Sequence, residues 1–307
     1  MHGPGEMRPG ETAVSWARSS PEELRAHHAR DAAELAGDLP AEVAEVVLAA
    51  DGAFRGGLLF TPRDCAGDAV FVYFHGGGFV AGSPETHRCM TAWLAKLSRR
   101  RVLSARYRLA PEHPFPAQRD DAVAACRAAL ALRGVPAEAG IFLAGDSAGA
   151  CVALWGLRGL DPAGRARVKG LVLLYGGYGL VDSDSIAKYG TAENGLDAET
   201  LAVMYGRLGA AGADSIWPLD FVGEIAAPAY VLAAGRDAVF DDSAELFRRL
   251  GSSHPANEFV VAEDEDHGFF KRTGKDPVAL RELEKAARWA AALAAGATSP
   301  GASPHTE

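Results

Sequence analysis

The sequence predicts an α/β protein built on an open, mostly parallel sheet of about eight strands with helices on both faces. Three observations carry this. From residue 69 onward, short continuous apolar runs alternate with longer helical patterns. The first two runs are instead separated by a short turn, which predicts an antiparallel hairpin opening the sheet. Residues with chemical capability follow directly on the ends of four later runs, and open parallel sheets bind ligands at the carboxyl ends of their strands.

Taken in order, residues 1–20 are rich in Gly, Pro and Ser and read as loose. A helix follows from Pro21 to Ala36, with Ser20 as its cap, Pro21 in its first position, and Glu22 and Glu23 in its first turn. Leu24, His28 and Leu35 lie roughly on one face of it, and since it precedes the sheet it is expected either over the core as part of a lid or packed elsewhere on the body. Val43–Ala49 and Phe54–Phe60 form the hairpin around Asp51-Gly52. Ala69–Phe74 is a continuous apolar strand that ends in His75-Gly76-Gly77-Gly78. Thr86–Arg100 is helical and Arg101–Arg106 is the next strand.

Prolines 111, 114 and 116 then stiffen the connection Tyr107–Asp121, where His113 reads as a structural hydrogen-bonder rather than a base. Asp120–Leu132 is a helix, Ile141–Ala144 a buried strand and Val168–Tyr175 another. The stretch 176–219 is less regular, with a helix over Asp197–Leu208 and a Gly/Ala loop. A long insertion between two strands is where a cap over a site would sit. Ala229–Ala234 is a strand, Ser243–Leu250 a helix, Glu258–Ala262 the last strand and Pro277–Ala295 a long terminal helix. The expected organisation is an N-terminal segment and cap helix (1–40), a core in two parts (41–175 and 220–295), a cap insertion (176–219) and a disordered tail (296–307).

At 307 residues with 48% apolar content, the chain can bury a large core. Its net charge of −9 argues against a nucleic-acid partner or an anionic membrane surface, both of which need basic patches. The N-terminus lacks a basic region followed by an apolar run, and no apolar stretch reaches about 18 residues, so a cytoplasmic location is expected. Cys65, Cys89, Cys126 and Cys151 form no C-x-x-C pair, which disfavours zinc, and Cys126 and Cys151 fall on apolar helix faces as buried thiols. No metal or organic cofactor is expected.

The most informative stretch is Ile141–Leu154, IFLAGDSAGACVAL. A buried strand turns through Gly145-Asp146-Ser147-Ala148-Gly149 into a helix, the context a G-x-S-x-G nucleophile turn requires. Ser147 must sit at the tip of a sharp, strained turn, and glycines two before and two after let strand and helix approach. The helix start places backbone N–H groups, beginning with Ala148, beside any oxyanion formed there. The glycines after His75 leave further N–H groups uncovered, and Gly76 and Gly77 are the expected second half of that oxyanion hole. A serine nucleophile needs a base, and the base a carboxylate. His267 and Asp237, each following a strand end, supply them. The acidic residues before His267 would raise its proton affinity, so their side chains are expected to point partly away.

HGGGFVAGSPETH (75–87), YRLAPEHPFPA (107–117), GDSAG (145–149), GRDAVFDD (235–242) and HGF (267–269) together resemble the hormone-sensitive-lipase-like family of α/β-hydrolase esterases, across residues 45–295. The resemblance implies an α/β-hydrolase core under a helical cap built from the N-terminal segment and the insertion after the sixth strand. It implies Ser147 as nucleophile, His267 as base and Asp237 as the acid. Gly76, Gly77 and Ala148 become the oxyanion donors, with His75 and Gly78 supporting the loop. The sequence departs from the family at Tyr175-Gly176-Gly177-Tyr178-Gly179, where Tyr-Pro is usual. It departs again at Asp237-Ala238-Val239, where Asp-Pro-Leu is usual.

The leading functional expectation is a serine carboxylesterase acting on short-chain acyl esters through an acyl-enzyme. A dedicated deacylase acting on an ester or amide of one metabolite would use the same machinery. A non-catalytic small-molecule receptor is disfavoured because Ser147, Asp237 and His267 are all present. The expected partner is a small-molecule ester, and an edge strand such as Glu258–Ala262 offers a means of homodimer pairing.

Overall fold

Apolar runs too continuous to alternate with polar residues must be covered on both faces, and that is how the central strands lie. The structure, a computed structural model, describes residues 14–209 and 216–296. The stretch before residue 14, the Gly/Ala loop at 210–215 and the tail from residue 297 lie outside the described residues.

The strands are β1 (Val43–Leu48), β2 (Gly57–Pro62), β3 (Val70–Phe74), β4 (Val102–Ala105), β5 (Ile141–Asp146), β6 (Val168–Leu174), β7 (Ala229–Ala234) and β8 (Glu258–Ala262). They form one eight-stranded sheet in the order β1-β2-β4-β3-β5-β6-β7-β8. β2 is antiparallel to β1 and to β4, and every other pairing is parallel. The helices are α1 (Pro21–Leu35), α2 (Arg88–Ser98), α3 (Ala117–Leu130), α4 (Ala148–Gly159), α5 (Pro162–Ala166), α6 (Asp184–Tyr189), α7 (Ala198–Arg207), α8 (Pro218–Phe221), α9 (Phe240–Leu250) and α10 (Pro277–Ala294).

The period-two alternation of each strand divides the core in two. Val70, Val72 and Phe74 of β3, with Ile141 and Leu143 of β5, join α3, α4 and α9 on one face. Phe71, Tyr73, Phe142 and Ala144 join α2 and α10 on the other. Burying a Leu or Phe contributes about 1.5–3 kcal/mol, against about 0–1 kcal/mol for an exposed ion pair. These two apolar layers therefore hold the sheet, rather than the salt bridges on its surface.

Local chemistry sets several boundaries. α1 starts as expected: the Ser20 hydroxyl accepts from the Glu23 N–H (3.2 Å) and Glu23 reaches back to the Ser20 N–H (2.8 Å). α2 begins later than the expected Thr86, because that side chain closes a turn with Ser83, bonding both its N–H (2.9 Å) and its carbonyl (2.8 Å). It ends at Arg99, which is left-handed (φ 52°). α3 begins before the expected Asp120. Pro116, which lacks an N–H, takes the cap position, and the buried Gln118 bonds the carbonyls of Arg108 (3.1 Å) and His113 (2.7 Å). His113 therefore bonds through its backbone, and its side chain is exposed. β2 begins at Gly57 rather than Phe54, since Phe54 bridges Asp51 in a tight loop and Gly56 turns the chain at φ +80°.

All four cysteines are free: Cys89, Cys126 and Cys151 are buried and Cys65 is exposed. Among the described residues, no helix is long and apolar enough to cross a membrane. Between β6 and β7, Ile186, Leu196, Leu201 and Met204 form a small cluster with Ala238 and Val239 from the turn after β7, and Trp16 packs against it. Arg207 ties the same segment to the N-terminal stretch through the carbonyls of Trp16 (3.3 Å), Ala17 (3.3 Å) and Ser19 (2.9 Å).

Candidate active site

Ser147 is the hinge between β5 and α4. Its backbone is held at φ 51°, ψ −125°, a conformation a side chain adopts only under constraint. Its N–H donates to the Leu174 carbonyl on β6 (2.9 Å). The flanking glycines are needed for close approach. A Cβ at Gly145 would overlap the backbone of Gly149, and one at Gly149 would overlap the Phe74 carbonyl at the end of β3. The strand, the helix and the glycine loop after β3 are thus drawn to one point.

His267 Nε2 lies 2.8 Å from Ser147 Oγ, and His267 Nδ1 lies 2.7 Å from Asp237 Oδ2. The structure therefore brings together three side chains separated by 90 and 30 residues, in the arrangement expected from their places at strand ends. Asp237 is buried, and its other oxygen accepts the Val239 N–H at 2.9 Å. One carboxylate oxygen is thus fixed by its own turn and the other orients the imidazole. Tyr175, from the YGGYG departure, packs edge-on against the His267 ring (5.1 Å between centroids) and stacks on Phe270 (5.6 Å). Of the acidic residues before His267, Glu263 is exposed, Asp264 pairs with Arg236 (2.7 Å) and Glu265 with Arg272 (2.6 Å). Only Asp266 borders the cavity.

The cavity above Ser147 measures about 480 Å³. Its floor includes Gly77, Gly78, Ala148 and His267, and its walls are drawn from α1, α7 and the turn after β7. Here the oxyanion expectation needs correcting. The Gly76 N–H is not available to a ligand: it donates to Asp146 Oδ1 at 2.9 Å, and Gly76 does not line the cavity. The glycines that do line it are Gly77 and Gly78. Among the described residues, neither N–H has an acceptor. The Ala148 N–H, at the first position of α4, has none within its own helix. Gly78, expected only to support the loop, thus borders the cavity with its N–H free. Its φ of +60° calls for glycine, and the end of the Met204 side chain sits where a Cβ would stand.

His75 does support the loop. Its Nδ1 meets the Gly76 carbonyl (2.9 Å), its ring stacks on Tyr107 (4.3 Å) and its own carbonyl accepts the Tyr107 hydroxyl (2.7 Å). Burial, with the neighbouring His87 adding to it, pushes its imidazole down to about 3, so it stays neutral.

Asp146, the second residue of the G-x-S-x-G turn, is a structural residue that sequence reasoning passed over. Its carboxylate accepts the Tyr73 hydroxyl (2.5 Å) and the Gly76 N–H (2.9 Å), and its other oxygen faces His87 Nε2 (3.3 Å). Burial works against its charge. His87 and the hydrogen bonds from Tyr73 and Gly76 outweigh it and hold the carboxylate below its ordinary range. The available signal was its place beside the nucleophile, together with two unassigned polar residues, Tyr73 and His87, inside or next to the matched motifs.

Comparison with known proteins bears on the fold. Residues 71–271 match the α/β-hydrolase fold family. A hyperthermophilic esterase from the archaeon Pyrobaculum calidifontis superposes with a TM-score of 0.79 at 27% identity, over 91% of this chain and 93% of that one. An esterase of the bacterial hormone-sensitive lipase family gives 0.79 at 25% identity, over 90% and 93%. A thermostable carboxylesterase cloned from a metagenomic library gives 0.73 at 29%, over 92% and 99%. An acetyl-hydrolase of Streptomyces hygroscopicus is 43% identical over 95 residues, a match that spans 31% of each chain. With the matched region covering most of the sheet and all three elements that converge on Ser147, the chain belongs to the α/β-hydrolase fold family and is similar to esterases of the hormone-sensitive-lipase group.

Proposed function

We propose that the protein is a serine carboxylesterase that cleaves short-chain acyl esters through an acyl-enzyme on Ser147. The observation that carries this is the hydrogen-bonded series from Ser147 Oγ through His267 to Asp237, at 2.8 and 2.7 Å, opening into one cavity with Gly77, Gly78 and Ala148. His267 takes the Ser147 proton as Oγ attacks the ester carbonyl. Asp237 holds the Nδ1–H tautomer and stabilises the imidazolium that forms. The carbonyl oxygen, now negative, is met by the three backbone N–H groups, which cost no reorganisation because the fold already fixes them. The imidazolium returns its proton to the leaving alcohol, and a water activated by His267 then releases the acid.

The segment 176–219 and the N-terminal helix act as a cap in this reading, since Leu201, Met204 and Tyr205 on one side and His27, His28 and Asp31 on the other border the cavity. A cavity of about 480 Å³ is of small-molecule size, and the preference for short acyl groups is read from the cap segments that border it. The test is hydrolysis of para-nitrophenyl esters from acetate to decanoate, with Ser147→Ala as control. The expected result is a Ser147-dependent rate that peaks between acetate and butyrate. Equal hydrolysis by Ser147→Ala would overturn the assignment.

A second reading, a dedicated deacetylase for one metabolite, draws support from the local similarity to the Streptomyces acetyl-hydrolase. Fluorophosphonate labelling of Ser147 without turnover of generic esters would favour it.

A further inference from the structure

One wall of the cavity carries polar groups that the ester chemistry does not use. His28 on α1 is 3% exposed, borders the cavity, and its Nδ1 has no hydrogen-bond partner. Its neighbours fix the ring without satisfying it: Trp16 packs edge-on (6.3 Å) and His87 stacks behind it (5.8 Å). Nδ1 is sealed from the cavity, so the ring nitrogen open to a ligand is Nε2, which has no hydrogen-bond partner among the described residues.

Lys271 borders the same cavity, one turn beyond His267, and its side chain runs back over Gly268. Among the described residues, its ammonium has no ion pair and no hydrogen bond. The other cation at the cavity, Arg236, is by contrast held by Asp264 at 2.7 Å. Burial keeps the Lys271 ammonium below the ordinary lysine value, while Asp31 and Asp146 act in the opposite direction. The same ammonium is, after burial, the next cause that keeps His28 neutral. Four acids border the cavity: Asp31 faces His27 Nε2 at 3.4 Å, Asp146 is engaged by Tyr73, Gly76 and His87, and Glu193 and Asp266 are exposed. Exposed charges are screened by water and salt, whereas a half-buried, unpaired ammonium is not.

We propose that His28 and Lys271 form a subsite for a carboxylate carried by the substrate, so that the preferred ester bears a negative charge on its acyl or its alcohol part. This rests on the esterase reading above. The ammonium supplies the charge and the imidazole N–H the direction, a charge-assisted pairing stronger than a neutral hydrogen bond. An uncharged ester leaves both groups unpaired, which is how a polar site discriminates against a substrate lacking its partner.

The test compares matched esters in two arms. For the acyl side, para-nitrophenyl hydrogen glutarate is set against para-nitrophenyl valerate. For the alcohol side, para-acetoxyphenylacetate is set against para-tolyl acetate. Rates with Ser147→Ala are subtracted throughout. The readout is the ratio of kcat/KM for the charged ester to that for its uncharged partner. In one arm this ratio is expected to fall about tenfold or more in Lys271→Met and to be retained in Lys271→Arg. A ratio unchanged by Lys271→Met in both arms would overturn the proposal while leaving the esterase intact. Loss of Ser147-dependent turnover of every ester in the parent protein would instead sink the esterase reading. Should Lys271→Met fail to fold, inhibition of the parent protein decides. Glutarate is expected to inhibit para-nitrophenyl acetate hydrolysis at a concentration about tenfold lower than glutaramide, and equal inhibition would contradict the subsite.

Discussion

Replacing Asp146 tests whether the carboxylate beside the nucleophile builds the oxyanion loop. In the structure it holds the Tyr73 hydroxyl (2.5 Å) and the Gly76 N–H (2.9 Å) and faces His87 (3.3 Å), all in buried surroundings. Asp146→Ala leaves these groups without their partner. Hydrogen bonds to a buried charge contribute about 1.5–3 kcal/mol each, and breaking such a set costs about 3–5 kcal/mol rather than the sum. Against a typical stability of about 5–15 kcal/mol the protein still folds, with Tm lowered by roughly 5–8 °C. The catalytic effect is separate. Gly76 sets where Gly77 and Gly78 point, and removing an oxyanion donor costs about 10²–10³ in kcat. A loop displaced rather than lost is expected to lower kcat roughly ten- to a hundredfold with a smaller change in KM. Asp146→Asn, which keeps one acceptor oxygen for Tyr73 and Gly76, should recover most of that rate. The assay is para-nitrophenyl acetate kinetics well below each variant's Tm. A folded Asp146→Ala protein with the parent's kcat would refute the reasoning.

Asp242 gives a pH prediction. Burial pushes its carboxyl up to about 7, although the N–H groups of Tyr178 and Leu180 oppose this. The folded state thus binds this proton more tightly than the unfolded chain, whose aspartates titrate near 3.9. The associated stability is fully present below about pH 4 and is lost as pH rises to about 7. Denaturant titrations of Asp242→Asn should show a flatter dependence across that window, and an unchanged slope would contradict this. For Asp146 the sign is reversed: its folded value is depressed, so its stability is present above the unfolded aspartate value and is lost on acidification. Asp146→Asn should therefore lose less stability than the parent on acidification, read by the same titrations. Gly149→Ala and Gly206→Ala form a contrasting pair. The first would drive a Cβ into the Phe74 carbonyl and should cost more than about 4 kcal/mol or prevent folding. The second meets nothing within 4 Å inside α7 and should stabilise by about 0.5–1 kcal/mol in thermal melts.

The parallel sheet was legible because β3, β5, β6 and β7 are buried on both faces, apart from Lys169 at the start of β6, and read as nearly continuous apolar runs. The convergence of Ser147, Asp237 and His267 was legible for the same reason, since each follows a strand whose carboxyl end lies at one edge of the sheet. What could not be read was which backbone group points where. Three adjacent glycines at 76–78 are equivalent in sequence, and the feature that removes Gly76 from the donor set is Asp146, 70 residues away. Helices of four to six residues such as α5, α6 and α8 are too short to show a period. α1, which carries His28, packs against the turn after His267, which carries Lys271, a contact that no local pattern announces.

The central claim is that Ser147 is the nucleophile, and trapping the covalent adduct tests it most directly. The protein is treated with a fluorophosphonate, its intact mass is recorded, and the modified peptide is sequenced by mass spectrometry. The account expects one adduct per chain on Ser147. It expects none in Ser147→Ala, and much slower labelling in His267→Ala, where the hydroxyl has lost its base. Labelling of Ser147→Ala at the parent's rate, or an adduct on another residue, would contradict it.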